Sequence, residues 1–192
     1  MVGAAAILPA MQMTIHTKDT APEASKPILE GIASDLGLVP NMAGTIANSP
    51  ALLSAFDGLR RAVGSGELDA TSREVAGVAV GVAVDNHYGV AFHSTVLGTL
   101  GVDDAEIERM RGGEPPHDEK LAAAYELARQ IVVGRGVVDD AVVARARGAG
   151  YSTSEILEIV AECTFAGLVG VIDNLAGRVT LDEFLAPRAW GE

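Results

Sequence analysis

Four histidines and one cysteine set the chemistry open to this sequence. His16 and His117 have no polar constellation around them. His87 and His93 belong to a denser run, Asp85-Asn86-His87-Tyr88-Gly89-Val90-Ala91-Phe92-His93. On a helix, Asn86, Gly89 or Val90, and His93 fall on one face at i, i+3/i+4 and i+7. Glu74 stands twelve residues before Asn86. A helix of that length followed by a turn lets two helices lie side by side. A buried Glu beside a His can hold a pKa near neutrality and act as acid or base. Asn86 can donate a hydrogen bond to a developing enolate or oxyanion. His87 and Tyr88 add two polar groups at the helix start. Glu74, Asn86, His87, Tyr88 and His93 are therefore the candidate site residues.

Other chemistries find less support. The single cysteine, Cys163, forms no internal disulfide, CxxC pair or multi-cysteine zinc site. It lies in an apolar run, where a free cysteine packs as a small hydrophobe. His87 and His93 are six residues apart, which does not place them on one helix face. No HxxxH or HxxE spacing supports a metal site. No Gly-rich strand-to-helix turn points to a dinucleotide. Neither cofactor nor metal is expected. Each candidate also has a structural use: Glu74 in a helix cap, Asn86 as an N-cap, His93 in the core, and His87 with Tyr88 at a surface or interface.

The elements that must position these residues are helical almost throughout. Pro27–Leu36 carries Ile28, Leu29, Ile32 and Leu36 at helical spacing, and Gly37 provides a stop. Pro40-Asn41 opens a short helix. Ser49 caps a further one at Pro50, with Leu52, Leu53, Phe56 and Leu59 as its buried stripe. Thr71-Ser72-Arg73-Glu74 has the pattern of a capping box with Thr71 as N-cap. The run Val75–Val84 after it is small and apolar on all faces, which predicts a buried helix. Asp85-Asn86 interrupts, and His87–Leu100 forms the next helix. Asp103, Asp118 and Val138 begin three more. Ser152-Thr153-Ser154-Glu155 is a second capping box, before a long apolar helix over Ile156–Leu175. Sustained alternation of apolar and polar residues is missing, so the fold class is all-α.

Composition bounds the remaining possibilities. A length of 192 residues suits one domain, expected over residues 21–192 behind a flexible leader at 1–20. Lys and Arg total 14 against 26 Asp and Glu, a net charge of −12 without a basic run, which disfavours nucleic acid. The first apolar stretch has no basic residue before it, and later apolar runs are too short to span a bilayer. A cytoplasmic protein with no membrane partner is expected. Its very apolar helices exceed what one small core uses, which favours a homo-oligomer.

Several stretches together resemble the carboxymuconolactone decarboxylase superfamily, and within it the AhpD-like, peroxidase-related branch. They are Leu36-Gly37-Leu38-Val39-Pro40-Asn41, Ala47-Asn48-Ser49-Pro50-Ala51-Leu52-Leu53, Arg73-Glu74-Val75, His93-Ser94, and Gly150-Tyr151-Ser152 on to Glu155-Ile156-Leu157-Glu158-Ile159-Val160. The resemblance implies a bundle of packed helical hairpins that assembles into trimers or hexamers. In the family's redox members a Glu precedes a CxxCxxxH motif by twelve residues, and the two thiols reduce a peroxide. Glu74 matches that Glu and His93 that His, so the resemblance implies His93 and Glu74 as catalytic residues, with Asn86, His87 and Tyr88 beside them binding substrate. Asn86 and Gly89 stand where the thiols would be, and neither can attack a peroxide or resolve the product.

Three readings follow. The first is a thiol-independent acid/base enzyme, as in the decarboxylase that names the superfamily, acting on a small carboxylate or lactone. The second is a non-catalytic partner subunit or ligand-binding protein. The third is a residual peroxidase that uses Cys163.

Overall fold

A computed structural model gives the structure of residues 11–191. Residues 1–10 of the segment read as a leader lie outside the described residues. Residues 11–20 run over the helices, with Met11 N–H donating to the Leu175 carbonyl and His16 N–H to the Gly44 carbonyl. Nine α-helices follow among the described residues, with no strand: α1 (Lys26–Leu36), α2 (Asn41–Ile46), α3 (Pro50–Gly64), α4 (Ala70–Ala83), α5 (His87–Thr99), α6 (Asp104–Arg111), α7 (Glu119–Val133), α8 (Asp140–Gly148) and α9 (Thr153–Leu175). A short 3-10 turn, Ala186–Arg188, closes the chain. It had no signal in the sequence. Arg111 holds it by donating to the Arg188 and Ala189 carbonyls at 2.8 and 2.7 Å.

Helix α4 is the centre of the architecture and packs against α5, α6, α7 and α9. Its run of Val, Ala and Gly explains why. Small side chains let neighbouring helices approach from every side, and all residues from Glu74 to Gly81 are buried. Around α4, α7 and the first half of α9 lies one apolar cluster, including Val78, Leu97, Ile107, Leu127 and Ile159. A second cluster joins α1 to α3, α5 and the second half of α9 through Leu29, Ile32, Leu53, Tyr88 and Ile172. Each fully buried Leu or Ile contributes about 1.5–3 kcal/mol, largely offset by chain entropy.

Helix ends follow the expected chemistry with one correction. Ser49, Asn86 and Asp118 cap α3, α5 and α7, and Ser152 with Glu155 forms the complete capping box of α9. The box expected at Thr71–Glu74 does not form. Asp69 is the N-cap instead, and its carboxylate accepts from Ser72 N–H at 2.8 Å and from the Ser72 hydroxyl at 2.9 Å. An Asp two residues upstream satisfies the same orphan donors, so the helix starts at Ala70. The consequence is functional: Glu74 is not used as a cap, and its carboxylate is available elsewhere.

The start of α5 is held twice. Asn86 Oδ1 accepts from Gly89 N–H at 2.8 Å. Asp173 of α9, fully buried, accepts from His87 N–H at 2.9 Å and from Val179 N–H at 2.8 Å. A carboxylate at a helix N-terminus also meets the favourable end of the helix dipole. These bonds fix α5 relative to α9 and so set the position of His93 two turns later.

Candidate active site

Glu74 on α4 and His93 on α5 meet. His93 Nδ1 lies 2.7 Å from Glu74 Oε2, and both side chains are buried. Arg73 Nε donates to the other Glu74 oxygen, Oε1, at 3.2 Å. The imidazole lies flat against α4 at Gly77, where a Cβ atom would stand 2.5 Å from His93 Nε2 and closer still to Nδ1 and Cε1. Any side chain at 77 would push the ring off α4. Gly77 is a site requirement that sequence periodicity does not show.

A third titratable group enters from α9. Glu162 is 1% exposed, and its Oε1 lies 3.6 Å from His93 Nε2. That separation is too long for a hydrogen bond. Among the described residues Oε1 has no hydrogen-bond partner. The sequence reading missed Glu162 because capping and family motifs drew attention elsewhere. A signal was present, since Glu162 is the only charged residue between Glu158 and Asp173 in an apolar helix.

The electrostatics follow from burial and pairing. Burial alone would raise the Glu74 pKa. The hydrogen bond and positive charge of His93, together with Arg73, outweigh it and hold Glu74 below its ordinary value. Burial would lower His93, but the Glu74 hydrogen bond and charge, helped by the charge of Glu162, raise it. Burial pushes Glu162 up to about 7; His93 and Arg73 oppose the shift and Glu74 adds to it.

These groups line one cavity of about 230 Å³ with Arg60, Arg73 and Tyr88. Phe56, Phe92, Phe165 and Met42 form apolar walls. Two polar lining groups are already engaged. The Tyr88 hydroxyl donates to Asp182, and Arg60 pairs with Asp57 and Asp35 at 2.7 Å each. Burial and the Asp182 carboxylate raise the Tyr88 pKa, so its hydroxyl stays protonated.

Of the three residues expected to bind substrate, only Tyr88 reaches the cavity. Asn86 is fully buried outside it, with Oδ1 on Gly89 N–H and Nδ2 donating to the Ala166 carbonyl at 3.3 Å. Its helix-capping use takes up the side chain that an oxyanion would need. His87 points elsewhere, with Nε2 3.2 Å from Asp85 Oδ1 and its ring edge-on to Trp190 at 5.2 Å. Gly89, at the second thiol position, also has a structural cause. A Cβ there would stand 2.7 Å from Asn86 Cγ, so a side chain at 89 would displace the Asn86 cap.

Cys163 is not part of this constellation. It packs in the apolar cluster around α4 and α7, where its thiol donates to the Ala128 carbonyl at 3.7 Å. Burial pushes its pKa up to about 12, far from a reactive thiolate. Among the described residues, no three His, Cys, Asp or Glu side chains converge as metal ligands. Glu74 and Glu162 sit on opposite nitrogens of His93. No described helix is long and apolar enough to cross a membrane.

Known proteins carry the same architecture. A peroxidase-related protein from Ralstonia eutropha JMP134, described as an alkylhydroperoxidase AhpD core, superposes with a TM-score of 0.77 at 22% identity, over 93% of this chain and 96% of that one. A peroxidase-related protein from Silicibacter sp. TM1040 gives 0.73 at 18% identity, over 91% and 92%. A cysteine-to-alanine variant of the debrominase Bmp8, bound to 2,3,4-tribromopyrrole, gives 0.72 at 17% identity, over 93% and 96%. No curated protein sequence matches the chain. Residues 50–130, which contain Glu74, Asn86 and His93, match the carboxymuconolactone decarboxylase family. The chain thus carries a segment similar to the carboxymuconolactone decarboxylase family and has the AhpD-type all-α fold.

Proposed function

We propose that the protein is a cofactor-free, thiol-independent acid/base enzyme acting on a small organic carboxylate or lactone through His93 and Glu74. The observation that carries this reading is the 2.7 Å His93–Glu74 pair in the wall of a cavity. Glu74, kept ionised, fixes His93 through Nδ1, and Nε2 is left to face the substrate. The low-dielectric surroundings strengthen each of these interactions. Arg73, half-buried at the same cavity, suits a carboxylate. A volume of about 230 Å³, roughly eight water molecules, suits a small ring. Arg73 also keeps Glu74 from taking the proton itself.

The thiol chemistry of the family's redox branch has less support, because Cys163 lies outside the cavity. A partner subunit with no chemistry would need no such cavity. A ligand-binding protein would need it, and the replacement of both motif thiols by Asn86 and Gly89 favours that second reading. Exposed Leu157, Val160, Val171 and Leu175 along α9 are the surface that a homo-oligomer would cover.

The test is hydrogen–deuterium exchange at carbon. γ-Lactone carboxylates and 2-oxo carboxylates are incubated with the protein in heavy water, and loss of the C–H signal is followed by NMR. The wild type exchanges the acidic proton of at least one of these probes. His93→Ala slows exchange at least ~100-fold while the fold is retained. Equal rates in wild type and His93→Ala, or no exchange in either, would refute the reading.

A further inference from the structure

Glu162 is the buried titratable group that the His93–Glu74 pair leaves unexplained. Nearly all buried polar atoms have a hydrogen-bond partner, and an exception needs a reason. Here the exception is a carboxyl oxygen, Oε1, on a residue 1% exposed that lines the cavity. Its nearest cation is the His93 imidazolium, whose Nε2 at 3.6 Å is beyond hydrogen-bond reach. Arg73, on α4, hydrogen-bonds Glu74, and Arg60, on α3, is held by Asp57 and Asp35. From α5, His93 presents Nε2 at 3.6 Å, and the Tyr88 hydroxyl is turned to Asp182. On α9 itself the neighbouring Cys163 faces the Ala128 carbonyl. Glu74, across the imidazole, is the other carboxylate. A molecule in the cavity would supply the hydrogen-bond partner that Oε1 lacks.

We propose that Glu162 is a further catalytic residue of this site: the base that takes a proton from a carbon acid bound in the cavity, while His93 Nε2–H holds the substrate oxygen. The proposal rests on the acid/base reading above and divides its labour. Glu74 anchors His93 and stays ionised, and His93 is the charged donor. Glu162 is the carboxylate with a lone pair free for the substrate.

The step balances without a co-reactant. Oε1 forms a bond to the acidic hydrogen as the C–H bond breaks. The C–H electron pair becomes the π bond of an enolate, and the carbonyl π pair moves to oxygen, which accepts a hydrogen bond from Nε2–H. Return of the proton from Glu162 to the same carbon restores the substrate. Return to a conjugated carbon isomerises it. In heavy water the carboxyl exchanges its proton with solvent, and the returning atom is deuterium. Burial that brings Glu162 to about 7 places this base near the working pH.

The experiment has two readouts on the full chain. The first is the protonated-carboxyl C=O stretch by infrared difference spectroscopy across pH 5 to 9, on wild type, Glu162→Gln and Glu74→Gln. It needs no substrate. A carboxyl band that titrates near pH 7 is expected in wild type, absent in Glu162→Gln and present in Glu74→Gln. The second is carbon exchange with the γ-lactone and 2-oxo carboxylate probes. Glu162→Gln is expected to slow exchange at least ~100-fold, with partial recovery in Glu162→Asp, which keeps a carboxylate. If Glu162→Gln fails to fold, the wild-type band and the Glu162→Asp rate decide. No titrating carboxyl near pH 7, or Glu162→Gln exchanging as fast as wild type while His93→Ala is inactive, overturns the base role alone. Full exchange in His93→Ala, or no exchange in wild type, overturns the acid/base reading on which it rests.

Discussion

Replacing Gly77 with Ala tests the packing of the site without touching a polar group. The new methyl would stand 2.5 Å from His93 Nε2, where ordinary contact begins near 3.4 Å. The imidazole must therefore retreat from α4 by about 1 Å. Glu74 is also on α4, so the retreat stretches the 2.7 Å Nδ1···Oε2 contact to about 3.6 Å, beyond a hydrogen bond. Overpacking costs about 1–3 kcal/mol. Loss of the charge-assisted bond costs about 1.5–3 kcal/mol. Better helix propensity returns about 1 kcal/mol. The net is near 3 kcal/mol, which for a chain of this size lowers Tm by about 6–12 °C. A displacement of this size also slows the chemistry about 100-fold. Gly58→Ala is the control: Gly58 sits inside α3 with no atom within 4 Å of a built Cβ, so it gains about 1 kcal/mol. The assays are thermal melting, carbon exchange, and the low-field NMR signal of the His93 Nδ1–H. A Gly77→Ala protein that melts like Gly58→Ala and keeps that signal would refute the packing argument.

Two further outcomes follow. Gly89→Ala pushes its methyl into the Asn86 side chain and should cost about 2 kcal/mol, whereas in an Asn86→Ala background the clash is gone. The two substitutions are therefore expected to couple by at least ~1 kcal/mol in a denaturation double-mutant cycle, and strict additivity would refute the steric link. The second concerns pH. Folded Glu162 holds its proton up to about pH 7 against an ordinary 4.5, so the native state binds more protons between those values, and stability falls as pH rises through them. The difference, at about 1.4 kcal/mol per pH unit, is about 3 kcal/mol. The raised His93 acts in the same direction above 6.5, and the lowered Glu74 acts oppositely in acid, where its contribution is lost as pH falls below 4.5. Urea unfolding from pH 4.5 to 8 should therefore show wild type losing about 3 kcal/mol relative to Glu162→Gln, and a constant difference would refute the buried-carboxyl argument.

The all-α class, the helix order and most caps were legible in the sequence because they are local. Ser49, Asn86, Asp118 and Ser152 satisfy N–H groups three residues on or fewer, within reach of any sequence reading. Glu74 and His93 were legible as candidates because they match the Glu and the His of the family's motif, while their contact is set by the packing of α4 against α5. The cap of α4 was misplaced because Asp69 and Thr71 are both good N-caps, and only the folded backbone chooses between them. What tertiary structure decided is the composition of the site. Glu162 arrives from a helix nearly seventy residues beyond His93, and nothing local marks which face of α9 meets the imidazole. Asn86 has the right chemistry and spacing for a substrate ligand, yet the Gly89 N–H and the Ala166 carbonyl consume it. Gly77 reads as one more small residue until the ring of His93 lies across it. A side chain's type fixes what chemistry it can do. Which of its lone pairs remain free is fixed by the neighbours that packing brings.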